Sequence, residues 1–186
     1  IWRSRWVATG GPGPRYAHGV SYDSDREVTV LFGGVDATFT IVGGTWEYDG
    51  ISWWRRSTNL PTPRSGHAMA FDDVRGVTLL VGGYSGEMKG DAWEWDGTTW
   101  SLRSTEGPSP RGKHAMAYDE RGQRTLLFGG DGCGRYGSNC GDTWGWDGTR
   151  WTLIALTGPA SRTGHAMAFD SARGVTVLFG GFGNSG

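Results

Sequence analysis

The hydrophobic pattern of residues 67–104 predicts four short strands. In the first, HAMAFD at 67–72, His67, Met69 and Phe71 share one face while Ala68 and Ala70 share the other. The second, GVTLLVGG at 76–83, is almost wholly apolar. Its length, β-branched residues and flanking glycines fit a strand buried on both faces rather than a helix. The third and fourth, AWEWD and TTWSLRS, flank Asp96-Gly97, which reads as a two-residue type I′ hairpin turn. That register sets Trp93 opposite Trp100, and by the same arithmetic Trp46 opposite Trp53 and Trp144 opposite Trp151. Cross-strand aromatic pairs stabilise a hairpin by about 0.2–1 kcal/mol, so these tryptophans have a structural role first.

The rest of the chain repeats this pattern. Arg15, His18, Gly33-Gly34, Trp46, Asp49-Gly50 and Trp53 precede it in the same order. Arg111, His114, Gly129-Gly130, Trp144, Asp147-Gly148 and Trp151 follow, and a fourth copy runs from Arg162 and His165 to Gly180-Gly181. The histidines stand 49, 47 and 51 residues apart, the mark of a repeat array. Copies are assigned to 10–58, 59–105 and 106–156, with two strands of a further copy in 157–186 and an outer strand of a preceding one in 1–9.

A bulky face and a slim face on one strand suit sheets stacked face to face. Four-stranded sheets stacked radially make a β-propeller. The order of Arg-x-x-His strand, Gly-Gly, Trp and Asp-Gly-x-x-Trp at this period resembles kelch repeats of a bacterial type, over essentially the whole chain. The resemblance implies an all-β propeller of four-stranded antiparallel kelch blades, with an incomplete ring of about three and a half blades here. The remaining blades are expected from a longer chain of which this is a portion, or from further copies of the same chain. The sequence opens without an initiator Met, a signal peptide or a transmembrane run.

Composition agrees, with 34 glycines and 11 tryptophans in 186 residues and little that favours a long helix. A net charge of −1 argues against a nucleic-acid partner or a membrane-bound surface. Cys133 and Cys140 lie in one loop with no histidine nearby, so a disulfide is expected rather than a zinc site. That places the protein outside the cell or in the envelope.

The recurring polar residues are read as parts of the fold. Arg15, Arg64, Arg111 and Arg162 are expected to bond neighbouring carbonyls or carboxylates. The four histidines are read as partly buried imidazoles bonded to backbone rather than metal ligands, and Asp72, Asp96, Asp147 and Asp170 as turn residues. Only the segment from Gly-Gly to the first Trp changes length between copies: 35–45, 84–92 and 131–143. It emerges on the same face as the loop leading into the first strand, and that face is assigned to recognition.

The candidate contacts are Asp36, Thr38, Phe39 and Ile41, then Tyr84, Glu87 and Lys89, then Asp131, Arg135, Tyr136 and Asn139. Tyr16, Ser65, Lys113 and Thr163, beside the recurring arginines, join them at the channel mouth that the kelch resemblance implies. The favoured function is non-catalytic protein or peptide binding, with no cofactor. The alternatives are a glycan-binding module and part of a propeller enzyme, such as a galactose-oxidase-like copper oxidase. That oxidase needs a copper site and a Cys–Tyr crosslink, whereas both cysteines here share one loop. A nucleophile elbow of the G-x-S-x-G type is missing, and the Asp-Gly-Thr-Thr-Trp turn departs from a sialidase Asp box.

Overall fold

The computed structural model describes residues 10–56, 60–133 and 138–183. The strand expected in 1–9 lies outside the described residues. The first copy holds β1 (Arg15–Tyr16), β2 (Gly19–Asp23), β3 (Val28–Phe32), β4 (Val35–Asp36), β5 (Thr45–Tyr48) and β6 (Trp53–Arg56). The second holds β7 (Ala68–Asp72), β8 (Val77–Val81), β9 (Ala92–Trp95) and β10 (Trp100–Ser104). The third holds β11 (Ala115–Asp119), β12 (Arg124–Phe128), β13 (Thr143–Trp146) and β14 (Trp151–Ala155). The last holds β15 (Arg162–Asp170) and β16 (Val175–Gly183). No helix is found among the described residues, so none is long and apolar enough to cross a membrane.

Three four-stranded antiparallel sheets result, ordered β2-β3-β5-β6, β7-β8-β9-β10 and β11-β12-β13-β14. Strands β15 and β16 pair alone, and β1 pairs β4 at the loop face. The first strands β2, β7, β11 and β15 lie side by side, so each sheet radiates outward from a shared line. All-β blades around a common centre are the architecture expected from the repeat.

Packing follows the bulky and slim faces. Met69, Leu80, Trp93, Trp95 and Trp100 of the second blade pack on Val30 and Phe32 of the first. On its other side the second blade sets Ala70, Leu79, Val81 and Ala92 against Met116, Leu127 and Trp146 of the third. Small Ala70 and Ala92 meet large Met116 and Trp146 across the second gap, whereas across the first the tryptophans meet Phe32 as well as Val30. The terminal sheets lack such a cover among the described residues. Val20 and Tyr22 on β2 are exposed, as are Val175, Val177 and Phe179 on β16.

The hairpin register departs from the expected one by two residues. Trp100 lies opposite Trp95, and Trp93 faces Leu102. Trp151 likewise faces Trp146, while Trp53 faces Tyr48 and Trp46 faces Arg55. The turn has four residues because the aspartate side chain builds it. Asp96 Oδ1 accepts the backbone N–H of Thr98 and of Thr99, each at 2.8 Å, and only Gly97 takes positive φ, at 94°. A type I′ turn needs positive φ at both central residues, which Asp96 does not supply. The aromatic pairing survives with a changed partner: the Trp95 and Trp100 rings lie 5.5 Å apart, those of Trp146 and Trp151 5.4 Å.

Candidate functional site

The recurring arginines are fixed by the fold. Arg64 donates from Nε to the Thr62 carbonyl at 3.2 Å and from Nη1 to the Gly82 carbonyl at 3.0 Å. Its fork also grips Asp91, with Nη1–Oδ1 at 2.7 Å and Nη2–Oδ2 at 3.0 Å. Arg111 repeats the arrangement on the Ser109 and Gly129 carbonyls and on Asp142. Each aspartate also accepts an indole N–H, Asp91 from Trp93 at 2.7 Å and Asp142 from Trp144 at 2.6 Å. Both guanidinium groups are almost fully buried, so charge and hydrogen bonding are satisfied in one place. Burial pushes the Asp91 and Asp142 carboxyls up, but their arginine and indole donors outweigh it and hold both below the ordinary value.

Asp91 and Asp142 escaped the sequence reading, and so did a second recurring node. Glu47 accepts from Arg26 and Arg56 of its own blade, each at 2.8 Å, and from the Trp95 indole of the next blade at 2.9 Å. Glu94 does the same with Arg75, with Arg103 and with Trp146 of the third blade. The available signal was the carboxylate two residues before the Asp-Gly turn, in WEYDG and WEWDG.

The histidines do not make the backbone bonds expected of them, for both ring nitrogens of His67, His114 and His165 lack a hydrogen-bond partner among the described residues. His67 and His114 are buried, and the Phe32 carbonyl lies near His67 without forming a hydrogen bond. Gly33 and Gly82 admit the rings of the next copy: a Cβ at Gly33 would lie 2.4 Å from the Arg64 carbonyl oxygen and 3.0 Å from the His67 ring. Burial, reinforced by Arg64 and Arg111 respectively, lowers both imidazoles to about 3. The unfolded chain therefore takes up protons first as pH falls. Stability should be full above about pH 6.5 and decline towards about pH 3, each histidine adding a slope of about 1.4 kcal/mol per pH unit. Urea unfolding measured between about pH 7 and 5 should show that fall, and His67→Leu/His114→Leu should flatten it. An unchanged slope in the double variant would contradict this role.

The loop face is tied together by backbone. Gly66 N donates to Ala17 O, Lys113 N to Gly66 O and Gly164 N to Lys113 O, at 2.8, 2.7 and 2.9 Å. These four equivalent residues all take positive φ. Lys113 thus occupies the position of Ala17, Gly66 and Gly164, one residue out of phase with Tyr16, Ser65 and Thr163. Its Nζ reaches Asp131 Oδ2 at 2.7 Å.

The other candidates fall into separate groups. Tyr16 and Phe39 come together with Pro14, Val35 and Asp36 around a shallow cavity of about 310 Å³, with Phe39 81% exposed. Asp36 accepts from the backbone of Thr38 and Thr40, and Ile41 bridges Val35. Tyr84 bridges both Ser65 and Met88, while Lys89 pairs with Glu87 at 2.7 Å. Asn139 donates to the Phe182 carbonyl at 2.9 Å. Thr163 Oγ1 stands 3.5 Å from the Lys113 carbonyl. Arg135 and Tyr136 lie outside the described residues. The described candidates share a face and do not converge on one cleft.

A second cavity opens on the same face between the first and second blades. It measures about 450 Å³ and is lined by Arg15, Val42, Gly43, Gly44, Trp46, Arg55, Pro61 and Pro63. Cys133 and Cys140 are joined as a disulfide. Their sulfurs and Asp142 form the sole grouping of metal-ligating atoms among the described residues, and the sulfurs are already bonded to each other.

No family model matches the chain, and no curated protein matches it. The chain is similar to the solved structure of YjhT, with a TM-score of 0.75 at 15% sequence identity. The likeness covers 97% of this chain and 63% of that one, so the chain spans less than two thirds of its length. It shows the fold, a kelch-like β-propeller seen here as a run of blades.

Proposed function

We propose that this run of blades is a non-catalytic scaffold that recognises a protein or peptide through its loop face. The observation that carries the reading is a division of labour. The polar residues that recur in phase are engaged within the blades, as Arg64 and Arg111 are, or between them, as Glu47 and Glu94 are, while exposed Tyr16, Phe39 and Tyr84 stand on one face. Tyr16 and Phe39 share a cavity, and exposed aromatic groups on a rigid frame are the usual anchors of such contacts. The blades are read as kelch repeats, and Val175, Val177 and Phe179 as the surface on which a further blade packs. That blade comes from the same longer polypeptide or from a second copy, and molar mass in solution tells the two apart. The disulfide favours an extracellular or envelope setting, and it engages both cysteines, leaving neither for the single thioether of a Cys–Tyr crosslink. Export measured by cell fractionation tests that setting.

Peptides selected on the wild-type chain should lose at least roughly tenfold in affinity on Tyr16→Ala/Phe39→Ala, whose fold should be unchanged because both side chains are exposed. Undiminished binding would overturn the assignment of this face. Tyr16-dependent signal on a glycan array, with no peptide retained, would replace it with a sugar-binding function.

A further inference from the structure

The first blade departs from the other two at a position where both of those hold a carboxylate. Val42 N donates to Gly34 O, Lys89 N to Gly83 O and Cys140 N to Gly130 O, so these residues are structural equivalents. Two residues further on stand Gly44, Asp91 and Asp142. The first blade therefore has glycine where the other two hold the carboxylate gripped by arginine and indole.

The donors for that carboxylate are still in place. Arg15 donates from Nε to Gly13 O and from Nη1 to Gly33 O, each at 3.1 Å, the two backbone bonds that pose Arg64 and Arg111. The guanidinium is thus held as in the sister blades, with no carboxylate in its fork. Trp46 corresponds to Trp93 and Trp144, and its indole N–H has no acceptor among the described residues. The first blade also gains a cation. Arg55 stands where the others have Leu102 and Leu153, directly across the strand pair from Trp46.

Relative to its sisters, the site has lost one negative charge and gained one positive. A Cβ built on Gly44 would sit 3.7 and 3.8 Å from the Arg55 guanidinium nitrogens and 4.0 Å from Trp46 Nε1. Neither Arg15 nor Arg55 makes an ion pair, although every Asp and Glu of the chain lies among the described residues. The nearest acid, Asp36, sits opposite Arg15 across β1 and β4, but its carboxylate is turned to Thr38 and Thr40.

We infer that the cavity between the first and second blades binds a carboxylate supplied by a ligand, in the place that Asp91 and Asp142 fill in the sister blades. Arg15 and the Trp46 N–H are the donor types used twice elsewhere in the same molecule, and Arg55 adds charge. Val42, Pro61 and Pro63 form the apolar wall that the rest of the ligand would meet. The carboxylate itself has two possible sources, a free small acid or an acidic residue of a peptide. The second source rests on the reading of this face as a peptide-binding surface.

The test follows the Trp46 indole ¹⁵N–H resonance, assigned by its loss in Trp46→Phe, during titration with N-acetyl-aspartate amide. Acetate, inorganic phosphate and sodium chloride at matched ionic strength are the comparators. The expected result is a saturable shift at millimolar concentration, weakened roughly tenfold in Arg55→Leu, which installs the sister residue at an exposed site. Tighter binding of the capped residue than of acetate assigns the site to a peptide, and equal binding assigns it to a free acid. No saturable shift, a shift matched by chloride, a preference for phosphate, or indifference to Arg55→Leu would each overturn the proposal. Peptide binding that needs Tyr16 and Phe39 but ignores Arg55→Leu would sink the pocket and leave the face standing. A shift with the capped residue but no peptide retained would do the reverse.

Discussion

Arg111→Leu should destabilise the chain by roughly 3 kcal/mol or more, while the equivalent Arg15→Leu should cost under about 1 kcal/mol. Removing the Arg111 guanidinium leaves Asp142 ionised in a site where it is four-fifths buried, with only the Trp144 indole as donor. It also strips the carbonyls of Ser109 and Gly129 of a donor at the junction with the fourth blade. Arg15 makes the same two carbonyl bonds but neutralises no carboxylate. Its loss exposes no unpaired charge. Urea unfolding of the two variants beside the wild type checks the contrast, and equal losses would mean that the arginine–aspartate pairs do not stabilise their own blades.

Glu94→Leu should be similarly damaging, by about 3–5 kcal/mol, because three side chains from two blades meet at its carboxylate. Arg75, Arg103 and the Trp146 indole all donate to it, and the carboxyl is almost fully buried. Burial pushes the Glu94 carboxyl up, yet its Arg103, Arg75 and Trp146 donors outweigh that and hold it below its ordinary value. A lowered folded value means that this stabilisation is present above about pH 4.3 and is lost as pH falls through the folded one. The third blade shows the alternative solution. There Gly145 stands for the glutamate, Ile154 for Arg103 and Gly122 for Arg75, so all three partners are exchanged together. A Cβ at Gly145 would meet Ile154 Cδ1 at 2.9 Å, so the isoleucine fills the space the carboxylate would need. Glu94→Leu combined with Arg103→Ile should therefore lose less than the sum of the single changes, with a coupling of about 1 kcal/mol or more in a double-mutant cycle. Additive losses would contradict the node.

The parts of this fold legible in the sequence are those that repeat locally. Four strands per copy follow from apolar runs and turns within a single period. The pairing of bulky with slim faces follows from the alternation of Met69 and Phe71 with Ala68 and Ala70. The hairpin register was misread because Asp96-Gly97 looks like a complete turn, whereas Asp96 closes a longer one through its side chain. The nodes were invisible for another reason. Glu47 and Trp95 are 48 residues apart, and Glu94 and Trp146 are 52, so each contact spans a whole repeat. Asp91 and Asp142 sit at the end of the segment of variable length and so read as loop residues. Gly44 carries meaning only beside them, once the backbone bonds of Gly34, Gly83 and Gly130 fix which residues correspond.

Under the proposed function the in-phase residues stabilise the blades and the irregular residues of one face bind the ligand. The dissociation constant of a selected peptide on wild type and on Tyr16→Ala/Phe39→Ala of equal thermal stability distinguishes the two roles. It should rise at least roughly tenfold with no change in unfolding midpoint. An unchanged dissociation constant on an intact fold would contradict it.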